Sequence, residues 1–335
     1  MSDAARECWI RLLPREPVRF DAEFAWGVAS SAFQSEGGEV ANDWVLAASE
    51  GRVPANPGNG FWQRAEADLR LVASLGFRHY RLSIEWSRAE PERGRFDEAA
   101  IDRYRAICDA AVGAGVTPWV NLFHFTHPRW FAARGGFLET ANHGDFLRYV
   151  ERVGAALAPH AHHFHVANES MVYVAAGYLM GVNPPFVKDA ASTFAMTRHV
   201  LALQADAYRI LKSLMPQPTV ATIEVYLDPH PEDRNDALQR DAAQRFDAWY
   251  HGVQLEALAT GWVRLPDREP EEIPHLRGHF HWTAVDRYEW HFGFGPERFG
   301  LIAFDPSTLE RSVKASGRWM AELIASGVLD PSKIP

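Results

Sequence analysis

With 335 residues, 47% hydrophobic and 23% charged, the chain can build one large α/β domain, or two smaller ones, around a proper core, and it is not disordered in character. A formal charge of −9 without any Lys/Arg-rich block argues against nucleic acid as a partner, and no apolar run approaches the ~20 residues of a membrane span. Two cysteines make no disulfide framework and the opening residues carry no basic-then-apolar leader pattern, so a cytoplasmic protein is expected.

Phe24 to Ala29 reads as a first strand, which runs into the polar stretch Ser30 to Gly38. Residues 38 to 61, with their Gly, Pro and Asn, read as a long loop. A helix is expected from about Gln63 to Leu75, with Leu69, Val72 and Ala73 on one face and Gly76 as its stop. Phe77 to Ile84 is the next strand. Asp97 then caps a helix whose buried stripe is Ile101, Tyr104, Cys108 and Ala111, ended by Gly115. Val116 to Phe123 is a strand that opens onto His124, and Gly144 to Leu157 a helix with Phe146, Val150 and Val153 at helical spacing. A strand over Phe164 to Ala167 follows and ends abruptly in Asn168-Glu169. A long helix from Ala190 to Leu214, a strand from Thr219 to Val225 and a helical region from Asp241 to Leu258 complete the regular part.

Strand and helix thus alternate for at least five rounds, which means a parallel sheet, and at this length favours a TIM (β/α)8-type barrel in a single domain, residues 1–335. An open nucleotide-binding sheet is the alternative, but no G-x-G-x-x-G or G-x-x-x-x-G-K-[ST] follows a strand. Ligands collect where the strands of such a barrel end, and Asn168-Glu169 stands at such an end. A carboxyl there can hold or give a proton and the amide can hydrogen-bond a hydroxyl; the same pair could instead simply cap a helix. The 12 Trp and 20 Phe mostly fill cores, although exposed indole faces are also platforms for sugar rings.

The strand ends resemble those of the family 1 glycoside hydrolases, the β-glucosidase family. FAWGVASSAFQSEGG is similar to that family's F-x-W-G-x-A-[ST]-[AS]-x-Q-x-E-G, HYRLSIEWSR to its second strand and NLFHFTHPRWFAARGGF to its third. VANES resembles T-x-N-E-P, GYLMGVNPP the loop beyond it, and GHFHWTAVDRYEW with ERFGLIAFD the eighth-strand signatures. The resemblance runs in order from about Phe24 to Asp305. It implies a β-glycoside or sugar-like small molecule as substrate, no cofactor and no metal. It also implies Glu169 as general acid/base, and Gln34, His124 and Asn168 as ligands of sugar hydroxyls. Glu289 and Trp290 match the pair at the far edge of the glycone, Trp282 the stacking platform, and Arg81 the arginine that supports the nucleophile.

One part of that pattern is missing. A retaining glycosidase needs a second carboxylate about 5–5.5 Å from the first, and this family carries it in a T-E-N-G segment that the chain lacks. Val225 to Gly278 is too short for two further βα units beside its helical region, so the barrel is expected to be incomplete or irregular around strands 6 and 7. Ser170 for Pro and Phe125 for Trp are further departures. Glu224, a lone carboxylate in an apolar strand, could replace the nucleophile if it faces the lumen and pairs with Arg81; otherwise it belongs to a polar layer. An inverting arrangement is a further possibility, for which Asp286 and Glu289 are available, although both look like binding or structural groups. The seam left by lost strands is expected to be covered by residues 262–277 or by a second copy of the chain. His160, His162, His163 and His165, with His124 and His127, invite a metal reading, but His162 and His163 fall at the start of the strand, the wrong end of the barrel, His124 already has a sugar-binding reading, and a solvated cluster is expected. Two other functions stay open: non-hydrolytic acid/base chemistry on the same scaffold, and an inactive sugar-binding barrel.

Overall fold

A computed structural model describes residues 17–20, 24–38, 40–225, 231–253, 279–282, 301–305 and 308–329. Among them ten strands form: β1 (Val18–Arg19), β2 (Trp26–Ala29), β3 (His79–Ser83), β4 (Thr117–Phe123), β5 (His163–Asn168), β6 (Thr219–Ile223), β7 (His279–Trp282), β8 (Ile302–Phe304), β9 (Arg311–Val313) and β10 (Val328–Leu329). β2 to β7 make one sheet in the order β6-β5-β4-β3-β2-β7, with every pairing parallel. Helices connect successive strands, and late β7 returns to pair with early β2, as the closing strand of a TIM-type barrel does. Among the described residues no strand stands between β6 and β7. Residues 262–277 lie outside the described residues.

The helices follow the expected periodicity closely. Helix Phe61–Ser74 buries Ala65, Leu69 and Val72. Each such side chain taken from water contributes about 1.5–3 kcal/mol for the larger apolar residues. Asp97 caps helix Glu98–Gly113 by accepting from Ala100 N, and Asp189 caps helix Ala190–Leu214 by accepting from Ser192 N. Helix Ala190–Leu214 lies against helix His143–Leu157 where Gly154 leaves room. A Cβ at Gly154 would come within 2.9 Å of Leu211 and Leu214. Near the C-terminus the antiparallel ribbon β8–β9 is tied back by Arg311, which donates to both carboxylate oxygens of buried Asp68 at 3.2 and 2.9 Å.

Some local structure departs from expectation. The stretch read as a loop over 38–61 contains helix Asp43–Ser49, opened by Asn42 accepting from Val45 N. It buries only Trp44, Ala47 and Asp43, too few positions for a periodic signal. The expected helix from Asp241 is observed as Ala237–Asp247 with a wider turn, Ala248–Gly252, after it.

Candidate active site

Alternation along the strands sorts the side chains. Tyr80, Leu82, Val120, Leu122, Phe164 and Val166 belong to the core beneath the helices. The intervening residues His79, Arg81, Ser83, Trp119, Asn121, His163 and His165 remain for the inner face. They touch one another across strands: the Trp119 ring stacks on His163 at 4.2 Å and on His165 at 5.4 Å, and its Nε1 donates to His79 Nδ1 at 3.1 Å. One layer nearer the strand ends, Arg81 Nη1 donates to Asn168 Oδ1 at 2.7 Å, and Ser83 Oγ meets His124 Nδ1 at 2.8 Å.

Asn168 ends β5, where the register with β6 shifts between His165 and Asn168. It is not a helix cap; its amide oxygen serves Arg81 instead. The cap position of helix Ser170–Val174 is Glu169, half-buried, at φ 45° and ψ 59°. A non-glycine residue in this left-handed region costs of order 1–3 kcal/mol. The structure offsets that cost by fixing both sides of the residue. Glu169 N donates to Ile223 O at 2.8 Å, and Glu169 O accepts from Tyr173 N at 3.1 Å. The carboxyl thus leaves the sheet at a sharp corner beside Asn168. Gln34, in helix Ala32–Glu36, is fully buried and His124 nearly so. Of Trp282 the structure gives the backbone, at the end of β7 in register with Ala29. Glu289, Trp290 and Asp286 lie outside the described residues.

Glu224 stands one residue past β6, half-buried. Its Oε1 accepts from Thr222 Oγ1 at 3.2 Å and from Ser170 Oγ at 3.4 Å. Gln204 of helix Ala190–Leu214 joins the same group, donating to Ser170 Oγ and accepting from Thr222 Oγ1. This is a polar layer, and it holds the residue directly after Glu169. Tyr250 packs close by against Met171 and Ala175; burial, then the charges of Glu224 and Glu169, push its phenol up. A tyrosine 26 positions beyond Glu224 gave no sequence signal of belonging here.

Two further buried networks were not legible as such in the sequence. Glu36 and Glu85 flank Tyr104, whose hydroxyl donates to Glu36 at 2.9 Å and accepts from Glu85 N at 3.0 Å. Arg88 also donates to Glu36, at 3.2 Å, yet burial outweighs both partners and raises its pKa to about 7. Glu85 is raised too, by burial, against hydrogen bonds from Ser87, Thr126 and Asn42. In the second network Asp43 holds His127 Nδ1 at 2.9 Å, His127 Nε2 meets Tyr173 OH at 3.2 Å, and Tyr173 OH meets Tyr178 OH at 3.3 Å. That chain braces the helix following Glu169.

The histidine run corrects one expectation. His160 pairs with Asp109 and His162 is exposed, but His163 is half-buried and His165 is buried on the inner face. Burial lowers them to about 4 and about 3, so both are neutral at pH 7. Strand alternation is the reason, since every second histidine faces inward beneath Trp119. Among the described residues no group of three or more His, Cys, Asp or Glu is placed to hold a metal ion.

The sequence profile of glycosyl hydrolase family 1 matches residues 16–264 and 270–328. β-Glucosidase A of Thermotoga maritima is 24% identical over 92% of this chain and 73% of its own length. The coniferin β-glucosidase of Pinus contorta is 35% identical over 80% of this chain, which spans 60% of that longer protein. A β-glycosidase from Pyrococcus horikoshii has the same fold with a TM-score of 0.80 at 26% identity, over 95% of this chain and 97% of that one. A family 1 β-glucosidase from Thermotoga maritima reaches 0.83 at 18% identity over 93% and 99%, a likeness of fold alone.

Proposed function

The chain belongs to glycosyl hydrolase family 1, and from that premise we propose that it acts on a β-glycoside or a closely related sugar-like molecule, with Glu169 giving and taking the proton. The observation that carries this reading is the corner at Asn168–Glu169, where a strained residue is held at a strand end beside an amide already oriented by Arg81. Gln34, His124 and Asn168 contact hydroxyls of the glycone in this reading. Trp282, Glu289 and Trp290 complete its far side, and Arg81 orients Asn168.

The reading gives Glu224 a different role from attack on the sugar. Its carboxylate is engaged by Thr222 and by Ser170, the residue after Glu169, so it is a positioning group for the acid. A second carboxylate for double displacement is not supplied by a T-E-N-G segment in this sequence. The proton-transfer half of the reaction is therefore the part the chain supports most directly. A glycosyl acceptor, water or a hydroxyl of the substrate itself, completes the displacement. The protein works in this reading as a single-domain cytoplasmic barrel without cofactor.

The test is turnover of a panel of aryl β-glycosides and free aglycone–sugar pairs, with product stereochemistry followed by NMR. Release of aglycone supports hydrolysis. Isomerised or cyclised product without release moves the reading to non-hydrolytic acid/base chemistry. Sugar binding without any turnover makes it a binding protein.

A further inference from the structure

We propose that His165 and Asn121 form a further sugar-recognition position on the inner face of the sheet, one layer below Asn168 and Glu169, which takes a neutral hydroxyl of the glycone. The inference rests on the glycoside reading above and adds two contacts to it.

β4 and β5 pair Asn121 with His165 in register, and paired residues of neighbouring strands project to the same side. Both are buried, at 0% and 6% exposed. The Asn121 amide nitrogen is used, donating to Phe123 O at 3.0 Å and reaching Ser83 Oγ and His124 Nδ1 at 3.4 Å. Its Oδ1 has no hydrogen-bond partner among the described residues, and neither ring nitrogen of His165 has one. A backbone approach from Ala221 falls short of hydrogen-bond limits. Buried polar atoms are nearly always partnered, so three orphans on adjacent strand positions mark a place for an occupant.

The chemistry of those three atoms selects the occupant. A neutral imidazole offers one N–H and one lone pair, while Asn121 Oδ1 only accepts. A carboxylate or a dianionic phosphate ester brings no proton for Asn121 or for the imidazole lone pair. An ammonium brings no lone pair for the imidazole N–H. A hydroxyl both donates and accepts, and two adjacent sugar hydroxyls satisfy all three atoms. The position is also joined to the residues already assigned to the glycone. Arg81, which donates to Asn168, lies close enough for its charge to act on His165, and His124 contacts Asn121. Trp119, stacked on the His165 ring, holds the imidazole plane fixed before any ligand arrives. Pre-orientation of this kind lowers the ordering cost of binding.

The experiment is calorimetric titration of D-glucose and its monodeoxy analogues into the wild type, His165→Val, His165→Gln and Asn121→Ala. His165→Val is expected to weaken glucose about tenfold, with most of the loss recovered in His165→Gln, which keeps a donor and an acceptor. For one deoxy sugar, the wild type and His165→Val should bind alike, because the missing hydroxyl is the one His165 holds. Should His165→Val fail to fold, the comparison of Asn121→Ala with wild type across the deoxy series carries the same test. Equal glucose affinity in all variants, or a uniform loss for every deoxy sugar, overturns the inference while leaving sugar binding intact. A wild type that binds none of these sugars overturns the glycoside reading, and this inference with it.

Discussion

Glu36 offers a sharp energetic test of the buried acid network. It is 5% exposed, and Tyr104 and Arg88 donate to the same carboxylate oxygen. Burial nonetheless lifts its pKa from 4.5 to about 7. A carboxyl raised by folding binds its proton more tightly in the native state. Its contribution is complete below the unfolded value and is lost as pH rises through the folded one. The rise of about 2.5 (from 4.5 to about 7) at about 1.36 kcal/mol each amounts to about 3 kcal/mol. In Glu36→Gln this pH-dependent loss is absent. Urea unfolding of both proteins at intervals from about pH 4 to about pH 8 gives the stability of variant minus wild type. That difference should climb by about 3 kcal/mol across the range. Losing charge-assisted contacts to Arg88 and Tyr104 shifts the Gln variant at its charged-state reference, so the sign at any single pH is not the test. The climb is. A difference that stays flat, or falls with pH, refutes the reasoning.

Three other outcomes follow from the same geometry. His165, held near 3 by burial and then by Arg81, contributes stability that is present above the ordinary value of 6.5 and lost as pH falls toward 3. His165→Val should therefore resist mild acid better than wild type, as thermal melts between about pH 4 and about pH 7 would show. Arg311→Met leaves the Asp68 carboxyl buried without its bidentate partner and should cost about 3–5 kcal/mol in chemical unfolding; a cost below about 1 kcal/mol would show that Asp68 is readily accommodated protonated. Glu224→Gln keeps an acceptor for Ser170 and Thr222 and should lower kcat less than about tenfold. A fall of about a thousandfold, rescued by azide, would instead make Glu224 the nucleophile.

Much of the barrel is legible along the chain because its strands carry apolar residues at alternate positions and several helices carry their own cap and stripe. Asp97, Asp189 and the stripe Ile101–Tyr104–Cys108–Ala111 behave as local rules require. Asn168 and Glu169 were visible as polar residues at the end of an apolar strand, and their family motif gave them roles. What the sequence did not disclose depends on contacts between distant residues. Arg81 and Asn168 are 87 positions apart, and Glu36 meets Tyr104 across 68. Glu224 meets Ser170 across 54 positions, and the register of β5 with β6 shifts between His165 and Asn168. The sequence around His165 suggests a solvated run because four histidines in six residues mask the strand alternation. Only the stack with Trp119, on the neighbouring strand, separates the inward pair from the outward ones.

The central claim is that Glu169 moves the proton, and it is tested most directly by aryl β-glycoside turnover in wild type beside Glu169→Gln, with substrates of graded leaving-group acidity. The account predicts a loss of about 10²–10⁴-fold in the variant for poor leaving groups, shrinking as the leaving group becomes more acidic and needs less protonation. Equal rates in the two proteins, or a loss independent of the leaving group, would contradict it.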